Sequence, residues 1–135
     1  MEDCLFCKII AKHIPSVPVY EDENVYAFLD INPVNPGHTL VVPKKHSAGL
    51  HDAEGETLYH LVDALQTIAK AVMVGLGTEG FNIEENNGEI AGQVIPHLHF
   101  HIVPRRVDDG LKHWPGTPYA EGRAEEVAER IRGAM

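Results

Sequence analysis

Three histidines occupy alternate positions in the segment PHLHFHIVPR, which spans residues 96–105. Successive side chains of a β-strand point to opposite faces, so His97, His99 and His101 are predicted to share one face of a strand. The apolar residues between them are predicted to face the core, which turns the imidazoles towards a cleft or solvent. Such a face is either a polar surface that happens to be rich in histidine or a place where histidines bind metal or act in catalysis. Solvent faces ordinarily carry lysine, glutamate and threonine, so the pattern favours chemistry.

Distance disfavours one metal ion bound by all three histidines. A strand rises about 3.3 Å per residue, which separates the Cα atoms of His97 and His101 by roughly 13 Å. Histidine–zinc bonds are about 2.0–2.1 Å long, so two alternate histidines can share an ion but three cannot easily do so. We therefore expect a division of labour, in which one histidine supports the structure while its neighbours do the chemistry.

The two cysteines of the chain, Cys4 and Cys7, form a C-x-x-C motif. In a reducing compartment this spacing is typical of half a zinc site or of a redox pair rather than of a structural disulfide. A buried pair of thiols without a metal is the remaining interpretation.

The composition predicts one globular domain, residues 1–135, with 44% apolar and 23% charged residues. Twenty acidic residues against eleven basic ones give a formal charge of −9. This balance argues against a protein that coats nucleic acid, although it permits a small anionic ligand held by a few local donors. No stretch resembles a signal peptide or reaches the roughly 18 apolar residues that a membrane span requires. A cytoplasmic protein without a membrane partner is therefore predicted.

The order of predicted elements indicates an α+β fold. A long amphipathic helix is indicated by apolar residues at intervals of three and four, with Asp52 as its N-cap and Gly75 or Gly77 as its stop. A hairpin is predicted around the proline-rich turn 31–37. The predicted strands are 25–30, 38–43, 81–85 and 97–103, the predicted helices are 57–76 and 123–132, and residues 86–93 form a polar loop.

Taken together, these motifs resemble the histidine triad (HIT) family of nucleotide hydrolases and transferases, in its Hint branch. The pattern GQ-x-x-x-H-x-H-x-H-x-x-PR occupies residues 92–105, and the segments CLFCKIIAKHIPS, VYAFLDINPVNPGHTLVVPKKH and NNGEIAGQ are also similar to family members. The resemblance implies an antiparallel five-stranded sheet with one long helix and a short C-terminal helix. It also implies a homodimer in which the sheet continues from one subunit into the other.

The resemblance further implies a catalytic mechanism. His99, the middle histidine, is expected to attack the α-phosphorus of a nucleoside 5′-phosphate derivative and form a covalent nucleotidyl-histidine, which water then hydrolyses. His101 and His38 are expected to bond the α-phosphate oxygens or the leaving group. Gln93 and loop N–H groups would stabilise the negative charge. This scheme needs no catalytic metal.

Three further positions match substrate-binding residues of the family. Asp30 is expected to bond the ribose hydroxyls, and the alternative is a residue that only opens the turn after a strand. Asn86 is expected on the phosphate side, or else is a turn residue of the NNG sequence. Gln93 has a plain loop role as its alternative. Val94 stands where some Hint proteins carry a serine, which puts the leaving-group preference of those proteins in doubt here.

A structural zinc site is also implied, because Cys4, Cys7, His46 and His97 match the four zinc-binding positions of many prokaryotic relatives. Two thiolates and two imidazoles complete a tetrahedral set, so the site would be closed and would support the structure. Without a metal, His97 would orient the catalytic strand by hydrogen bonding. Trp114 is either part of a C-terminal segment that shapes substrate choice or a packing anchor.

The leading functional prediction is a hydrolase of nucleoside 5′-phosphoramidates or related nucleotidyl conjugates that releases a purine nucleoside monophosphate. A dinucleoside polyphosphate hydrolase is the nearest alternative. A nucleotide-binding interaction module with little catalysis comes from a different class. A hydrolase that uses the histidines as catalytic metal ligands is disfavoured by the strand geometry.

Overall fold

The computed structural model of the protein describes residues 3–135, so the first two residues of the predicted domain 1–135 lie outside the described part. Five strands and three helices confirm the α+β class and the five-stranded antiparallel sheet. In chain order they are α1 (Leu5–Ile10), β1 (Pro18–Glu21), β2 (Val25–Leu29), β3 (Thr39–Pro43), α2 (Gly55–Leu76), β4 (Gly80–Glu85), β5 (Phe100–Arg105) and α3 (Arg123–Ala134).

The sheet has the strand order β1-β2-β3-β5-β4, and every neighbouring pair is antiparallel. The predicted hairpin joins β2 to β3, with Val25 opposite Pro43. Its turn is closed by the N–H of Asp30, which donates to the carbonyl of His38 at 2.9 Å. This hairpin and β5 bring the three chain segments with the predicted site residues side by side.

The two faces of the sheet bury different clusters. Helix α2 covers one face through Leu61, Ile68 and neighbouring residues, and Leu98 and Ile102 lie fully buried in the same cluster. The short helix α1 covers the other face, where Phe6 contacts the side chains of β2 and β3. The predicted alternation is therefore confirmed for the apolar residues between the histidines, because they face α2.

Helix α2 begins two residues before the predicted start, at Gly55, and its N-cap is Glu54. The prediction of Asp52 as the N-cap was wrong. The Asp52 carboxylate instead accepts the N–H of Gly49 at 3.0 Å, within a preceding single turn of 3₁₀ helix. The helix ends at the predicted Gly77, whose φ of 65° lies in the left-handed region that glycine adopts without strain.

The strand predicted over 97–103 runs instead from Phe100 to Arg105. Val41 of β3 lies opposite Phe100, so the next hydrogen-bonded pair would place residue 98 opposite Pro43, which has no N–H to donate. The N–H of Leu98 donates instead to the carbonyl of Ser47 at 2.7 Å. His97 therefore lies in an irregular segment that bends away from the sheet, and its side chain is fully buried.

Two short elements were missed from the sequence, and α3 is longer than predicted. Strand β1 has four residues without a buried alternation, and α1 has only six, too few for a helical period to be visible. Helix α3 extends two residues beyond the predicted end, and none of its residues is buried. Within residues 3–135, no helix combines the length and apolar character needed to cross a membrane.

Candidate active site

His99 has a tautomer fixed by the backbone. Its Nδ1 lies 2.7 Å from the carbonyl oxygen of His97, and because a carbonyl only accepts, Nδ1 carries the proton. In the neutral ring, Nε2 is therefore the unprotonated nitrogen with an available lone pair. The ring is buried, with Phe6 edge-on at 5.0 Å between centroids and His101 at the same centroid distance. In its neutral form, the ring therefore presents an oriented nitrogen nucleophile.

His38 and His101 form a hydrogen-bonded pair with a defined direction. The N–H of Val34 donates to Nδ1 of His38 at 3.1 Å, which leaves the proton of the neutral His38 ring on Nε2. That Nε2–H faces Nδ1 of His101 at 2.9 Å and donates to it. The proton of the neutral His101 ring consequently resides on its Nε2. The pair is a chain of N–H donors that begins at the backbone and ends at His101.

Burial keeps these two imidazoles neutral at physiological pH. Desolvation lowers the pKa of His101 to about 4, and repulsion from His99 and His38 acts in the same direction against the attraction of Asp30. Desolvation also lowers the pKa of His38, while the charges of Asp30 and Glu84 oppose that shift. His101 therefore offers its N–H as a hydrogen-bond donor at pH 7 rather than as an imidazolium cation.

Asp30 has one oxygen in a turn and one facing the histidine pair. Its Oδ1 accepts the N–H of Asn32 at 2.8 Å, which is the turn-opening role considered as the alternative. Its Oδ2 lies 3.7 Å from Nε2 of His38. The side chain is 22% exposed, so a ligand can still reach the second oxygen. Both interpretations of this residue fit the same geometry.

Ligand atoms of Asp30, His38 and His101 lie within 4.8 Å of one another, which is close enough to share a cation. The proton assigned to Nε2 of His38 argues against that use. A metal at this nitrogen would move the proton to Nδ1, where the N–H of Val34 already donates. The hydrogen bonds therefore favour proton handling over metal binding at this cluster.

Gln93 is committed to the loop that precedes the histidines. Its Oε1 accepts the N–H of Gly88 at 2.8 Å, and its Nε2 donates to the carbonyls of Ala48 and Ile95 at 2.7 and 3.1 Å. The amide thus ties the loop to the segment after β3. This is the plain loop role considered for Gln93.

Asn86 lies at the wall of a cavity of about 520 Å³ beside β4 and β5. The neighbouring Asn87 has a different role, because its Oδ1 accepts the N–H of Leu50 at 2.7 Å and its amide contacts Glu85. Glu84, on the cavity wall, pairs with His101 across the strands, so the cavity lies next to this histidine on the sheet. Trp114 also lines the cavity. The turn role predicted as an alternative for Asn86 thus belongs more clearly to Asn87.

Cys4, Cys7, His46 and His97 converge into a second cluster. Nδ1 of His97 lies 3.3 Å from Cys4 Sγ, 3.6 Å from Cys7 Sγ and 3.1 Å from His46 Nδ1, and Cys7 Sγ lies 3.4 Å from His46 Nδ1. A tetrahedral zinc ion with ordinary bond lengths separates its nitrogen and sulfur ligands by roughly 3.3–3.6 Å. The four donor atoms therefore fit a zinc ion.

The tautomer of His97 also suits metal binding. Its Nε2 lies 2.9 Å from the carbonyl of Pro43, so this nitrogen carries the proton and Nδ1 directs its lone pair at the cluster. Burial and the adjacent Cys4 thiol raise the pKa of the Cys7 thiol. A divalent cation would supply the positive charge that stabilises the thiolates. The expectation that His97 faces a cleft or solvent was wrong, since it is fully buried in this cluster.

Comparison with known proteins identifies the family. The sequence profile of the HIT domain family matches residues 11–108. The chain belongs to the HIT family. This HIT protein is 50% identical over 107 residues to an uncharacterized HIT-like protein of Methanocaldococcus jannaschii, over 79% of this chain and 82% of the relative. The predicted family membership is confirmed.

Several relatives of the HIT protein are named as enzymes that act on nucleotides, and two of them illustrate the activities. The HIT protein is 38% identical over 130 residues to an adenosine 5′-monophosphoramidase of Schizosaccharomyces pombe, over 95% of each chain. It is 39% identical over 109 residues to an adenylylsulfatase of Arabidopsis thaliana, over 81% of this chain and 55% of the relative. These relatives agree with the prediction of an enzyme.

Solved structures share the fold. A HIT family protein from Bacillus subtilis superposes with a TM-score of 0.91 at 40% identity, over 98% of this chain and 97% of that structure. A zinc-bound histidine triad family protein from Mycobacterium smegmatis has a TM-score of 0.78 at 39% identity, with 99% of both chains covered. The predicted HIT fold is confirmed.

Sequence reasoning missed Phe6, which contacts both His97 of the cysteine cluster and the nucleophile candidate His99. Phe6 lies in α1 between the two cysteines, and its ring is edge-on to both His97 and His99, at centroid distances of 5.9 and 5.0 Å. Its apolar type and its position inside C-x-x-C gave no signal of this contact. Glu84 was also missed, because a lone glutamate in a strand carries no pattern; it faces the same side of the sheet as His101.

Proposed function

We propose that this HIT protein is a nucleotide hydrolase that cleaves nucleoside 5′-phosphoramidates through a covalent nucleotidyl-His99 intermediate and releases a purine nucleoside monophosphate. The observation that carries the proposal is the fixed tautomer of His99, whose Nδ1–H bond to the His97 carbonyl leaves Nε2 free to attack. The relative named as an adenosine 5′-monophosphoramidase supports this class of reaction.

In the first step, Nε2 of His99 attacks the α-phosphorus in line with the bond to the leaving amine. A bond forms between phosphorus and Nε2, and the bond between phosphorus and the amine nitrogen breaks. The amine departs with the bonding electron pair and takes up a proton from solvent. The imidazole ring of the intermediate carries a positive charge, which the Nδ1–H bond to the His97 carbonyl stabilises.

In the second step, a water oxygen attacks the same phosphorus and releases Nε2 of His99 with its lone pair restored. The water loses one proton to solvent, and the product is a nucleoside monophosphate. His101 donates its Nε2–H to a phosphate oxygen in both steps. His38 fixes that donor by bonding the other nitrogen of His101 at 2.9 Å.

The remaining contacts would orient the nucleotide. Asp30 has one carboxylate oxygen free of the turn, which suits a ribose hydroxyl donor. Asn86, on the cavity wall, would bond the phosphate or the leaving group. Gln93 acts through the loop that it fastens, and backbone N–H groups of that loop would contact the phosphate.

Cys4, Cys7, His46 and His97 would hold a structural zinc ion, which supplies a fixed cross-link between α1 and the segment before β5. The fit of the donor separations and the zinc-bound relative support this assignment. The carbonyl of His97 accepts the proton of His99, so the position of His97 bears directly on the nucleophile. Bound zinc would therefore hold in place the carbonyl group that fixes the His99 tautomer.

A homodimer forms part of the proposal. Strand β4 stands at an edge of the sheet, where a second subunit can continue the ladder. Helix α2 also presents apolar residues to solvent, among them Tyr59 and Val62 at 70% and 60% exposure. The cytoplasmic location stays a prediction.

The test is hydrolysis of adenosine 5′-phosphoramidate by the wild type, by His99→Ala and by the matched exposed-histidine variant His13→Ala. We expect turnover to AMP and ammonia in the wild type and in His13→Ala, and a loss of at least about a thousandfold in His99→Ala. Equal activity of all three proteins would refute the role of His99.

The alternatives make different predictions in the same assay. A binding module would bind AMP without turnover of any conjugate. A dinucleoside polyphosphate hydrolase would release AMP from a diadenosine polyphosphate with higher kcat/KM than from the phosphoramidate. The relative named as an adenylylsulfatase makes adenylyl sulfate a useful third substrate. Comparison of kcat/KM across the three conjugates separates these functions.

A further inference from the structure

The order of the site residues across the sheet indicates how a bound substrate would be oriented. Asp30 follows β2, His38 precedes β3, His101 lies on β5, and Glu84 lies on β4. The strand order places β2, β3, β5 and β4 side by side. Leu40 of β3 and Glu84 of β4 both pair with His101, so these side chains share the histidine face.

This order places the leaving group next to β4. With the ribose at Asp30 and the phosphorus beside His99 and His101, the group on the far side of the phosphorus extends away from β2. The cavity of about 520 Å³ lies in that direction, and its walls include Glu84, Asn86 and Trp114. It therefore has the position and the volume to receive a leaving group larger than ammonia.

Glu84 is the acidic residue of this wall that pairs with His101 on the neighbouring strand. It is exposed, and within residues 3–135 no salt bridge involves it. Burial lowers the pKa of His38, one strand beyond His101, and the negative charges of Asp30 and then Glu84 oppose that shift. A group seated between Glu84 and His101 would lie closer to this carboxylate than His38 does.

Two cationic residues line the cavity, Arg105 and Lys112, and they differ in how far they can neutralise the charge of Glu84. Arg105 is held by Asp109 through two hydrogen bonds of 2.8 and 3.0 Å, so its charge is already paired. Lys112 lies in the loop after Asp109, lines the cavity and is exposed. Lys112 therefore provides a cation of opposite effect that can be removed separately.

We propose, on the basis of the function proposed above, that Glu84 makes the leaving-group side of the site selective, favouring phosphoramidates of cationic and neutral amines over conjugates with anionic leaving groups. A carboxylate beside the leaving group attracts a positive charge and repels a negative one. The interaction is partly screened because the cavity is open to solvent. Phosphoric anhydrides and sulfate conjugates, whose leaving groups are anions, belong to the disfavoured class.

The experiment compares three adenosine 5′-phosphoramidates of matched length that differ in the charge at the far end. They are the conjugates of 1,5-diaminopentane, pentylamine and 5-aminopentanoic acid. Values of kcat/KM are measured for the wild type, Glu84→Gln and Glu84→Lys. Glu79→Gln removes an exposed glutamate just before β4 and serves as the matched control. Lys112→Gln tests the opposing cation.

We expect the wild type to prefer the cationic conjugate over the anionic one by roughly three- to tenfold in kcat/KM. Glu84→Gln should bring this ratio close to one, and Glu84→Lys should invert it. Glu79→Gln should leave the ratio unchanged, whereas Lys112→Gln should increase it. A ratio that stays the same in both Glu84 variants would overturn the assignment.

Failure of the selectivity and failure of the proposed reaction look different. If the wild type hydrolyses all three conjugates equally well, the reaction stands and the role of Glu84 is refuted. If it hydrolyses none of them, the proposed reaction is refuted first. Calorimetric binding of the three conjugates to His99→Ala repeats the charge comparison without turnover. Equal affinities of His99→Ala and of the double variant His99→Ala/Glu84→Gln for each conjugate would then refute the role of Glu84 as well.

Discussion

Within residues 3–135, two clusters combine histidines with acidic or sulfur-containing partners, and their hydrogen bonds give them different chemistry. In the cluster of Cys4, Cys7, His46 and His97, the backbone carbonyl of Pro43 accepts a hydrogen bond from Nε2–H of His97. The lone pair on Nδ1 of His97 therefore points into the cluster. In the cluster of Asp30, His38 and His101, the N–H of Val34 donates a hydrogen bond to Nδ1 of His38. The ring proton of His38 is therefore on Nε2, which faces His101. The first cluster thus directs lone pairs at a position that a cation can occupy, and the second directs an N–H donor at a bound ligand.

The comparison shows that residue types alone do not assign a histidine cluster. Both sets bring their donor atoms within 4.8 Å of one another. At each cluster, the direction of one backbone group determines which ring nitrogen carries the proton. An unprotonated nitrogen can bind a metal, whereas a protonated nitrogen donates a hydrogen bond. His99 lies between the clusters and takes its own tautomer from the His97 carbonyl.

Loss of the zinc cluster should have the largest effect, and mainly on stability. Cys4→Ser removes one ligand and leaves a buried, incomplete site, so we expect zinc per chain to fall from one to nearly zero. The free energy of unfolding should drop by about 5 kcal/mol, because metal binding to a structural site contributes directly to folding. Elemental analysis and urea unfolding measure the two quantities.

The control is His101→Gln, which should retain one zinc per chain. Full zinc content in Cys4→Ser, or loss of zinc in His101→Gln, would contradict the separation of the two clusters.

Removal of the donor at His101 should have the next largest effect, and on activity rather than on zinc. His101→Gln keeps an amide near the phosphate but ends the directed chain from His38. We expect kcat/KM for adenosine 5′-phosphoramidate to fall about a hundredfold or more, or roughly 3 kcal/mol, as for the loss of one oriented donor. Steady-state kinetics on zinc-loaded protein gives the number. Activity within a factor of three of the wild type would show that the chain is not used.

The pH dependence of stability should show the smallest effect. The pKa of His101 lies at about 4 in the folded protein and near 6.5 when exposed, so the unfolded chain binds the extra proton between these values. Stability is therefore complete above about pH 6.5 and falls as the pH is lowered towards 4. Allowing for partial exposure, we expect His101 to account for roughly 1–2 kcal/mol of that fall.

Urea unfolding of the wild type and of His101→Gln across this pH range isolates the contribution, because any loss of zinc at low pH affects both proteins. The wild type should lose more stability than the variant. Parallel curves would mean that the burial of His101 does not shift its protonation.

Much of the fold could be predicted from the sequence, because periodic apolar residues report directly on burial. The α2 helix and the β2–β3 hairpin followed from such patterns, and Leu98 and Ile102 face the core as alternation requires. The start of β5 could not be predicted, since it depends on Pro43 of another strand, which has no N–H for the ladder.

The candidate site was predictable as a set of residues but not as a mechanism. The histidine pattern pointed to His99 and His101, and the resemblance to a family supplied His38 and the partners of Cys4 and Cys7. The proton positions depend on the carbonyls of His97 and Pro43 and on the N–H of Val34, and no residue type encodes where a backbone group points. The contact of Phe6 with His99 requires α1 to lie across the sheet. A helix of six residues is too short for its sequence to predict that position.

The stereochemistry at phosphorus tests the central role of His99 most directly. The substrate is an adenosine 5′-phosphoramidate with one non-bridging oxygen replaced by sulfur, of defined configuration, hydrolysed in ¹⁸O-labelled water. Attack by His99 followed by attack of water makes two in-line displacements, so we expect net retention of configuration. Net inversion would mean that water displaces the amine in a single step, and it would contradict a covalent nucleotidyl-His99 intermediate.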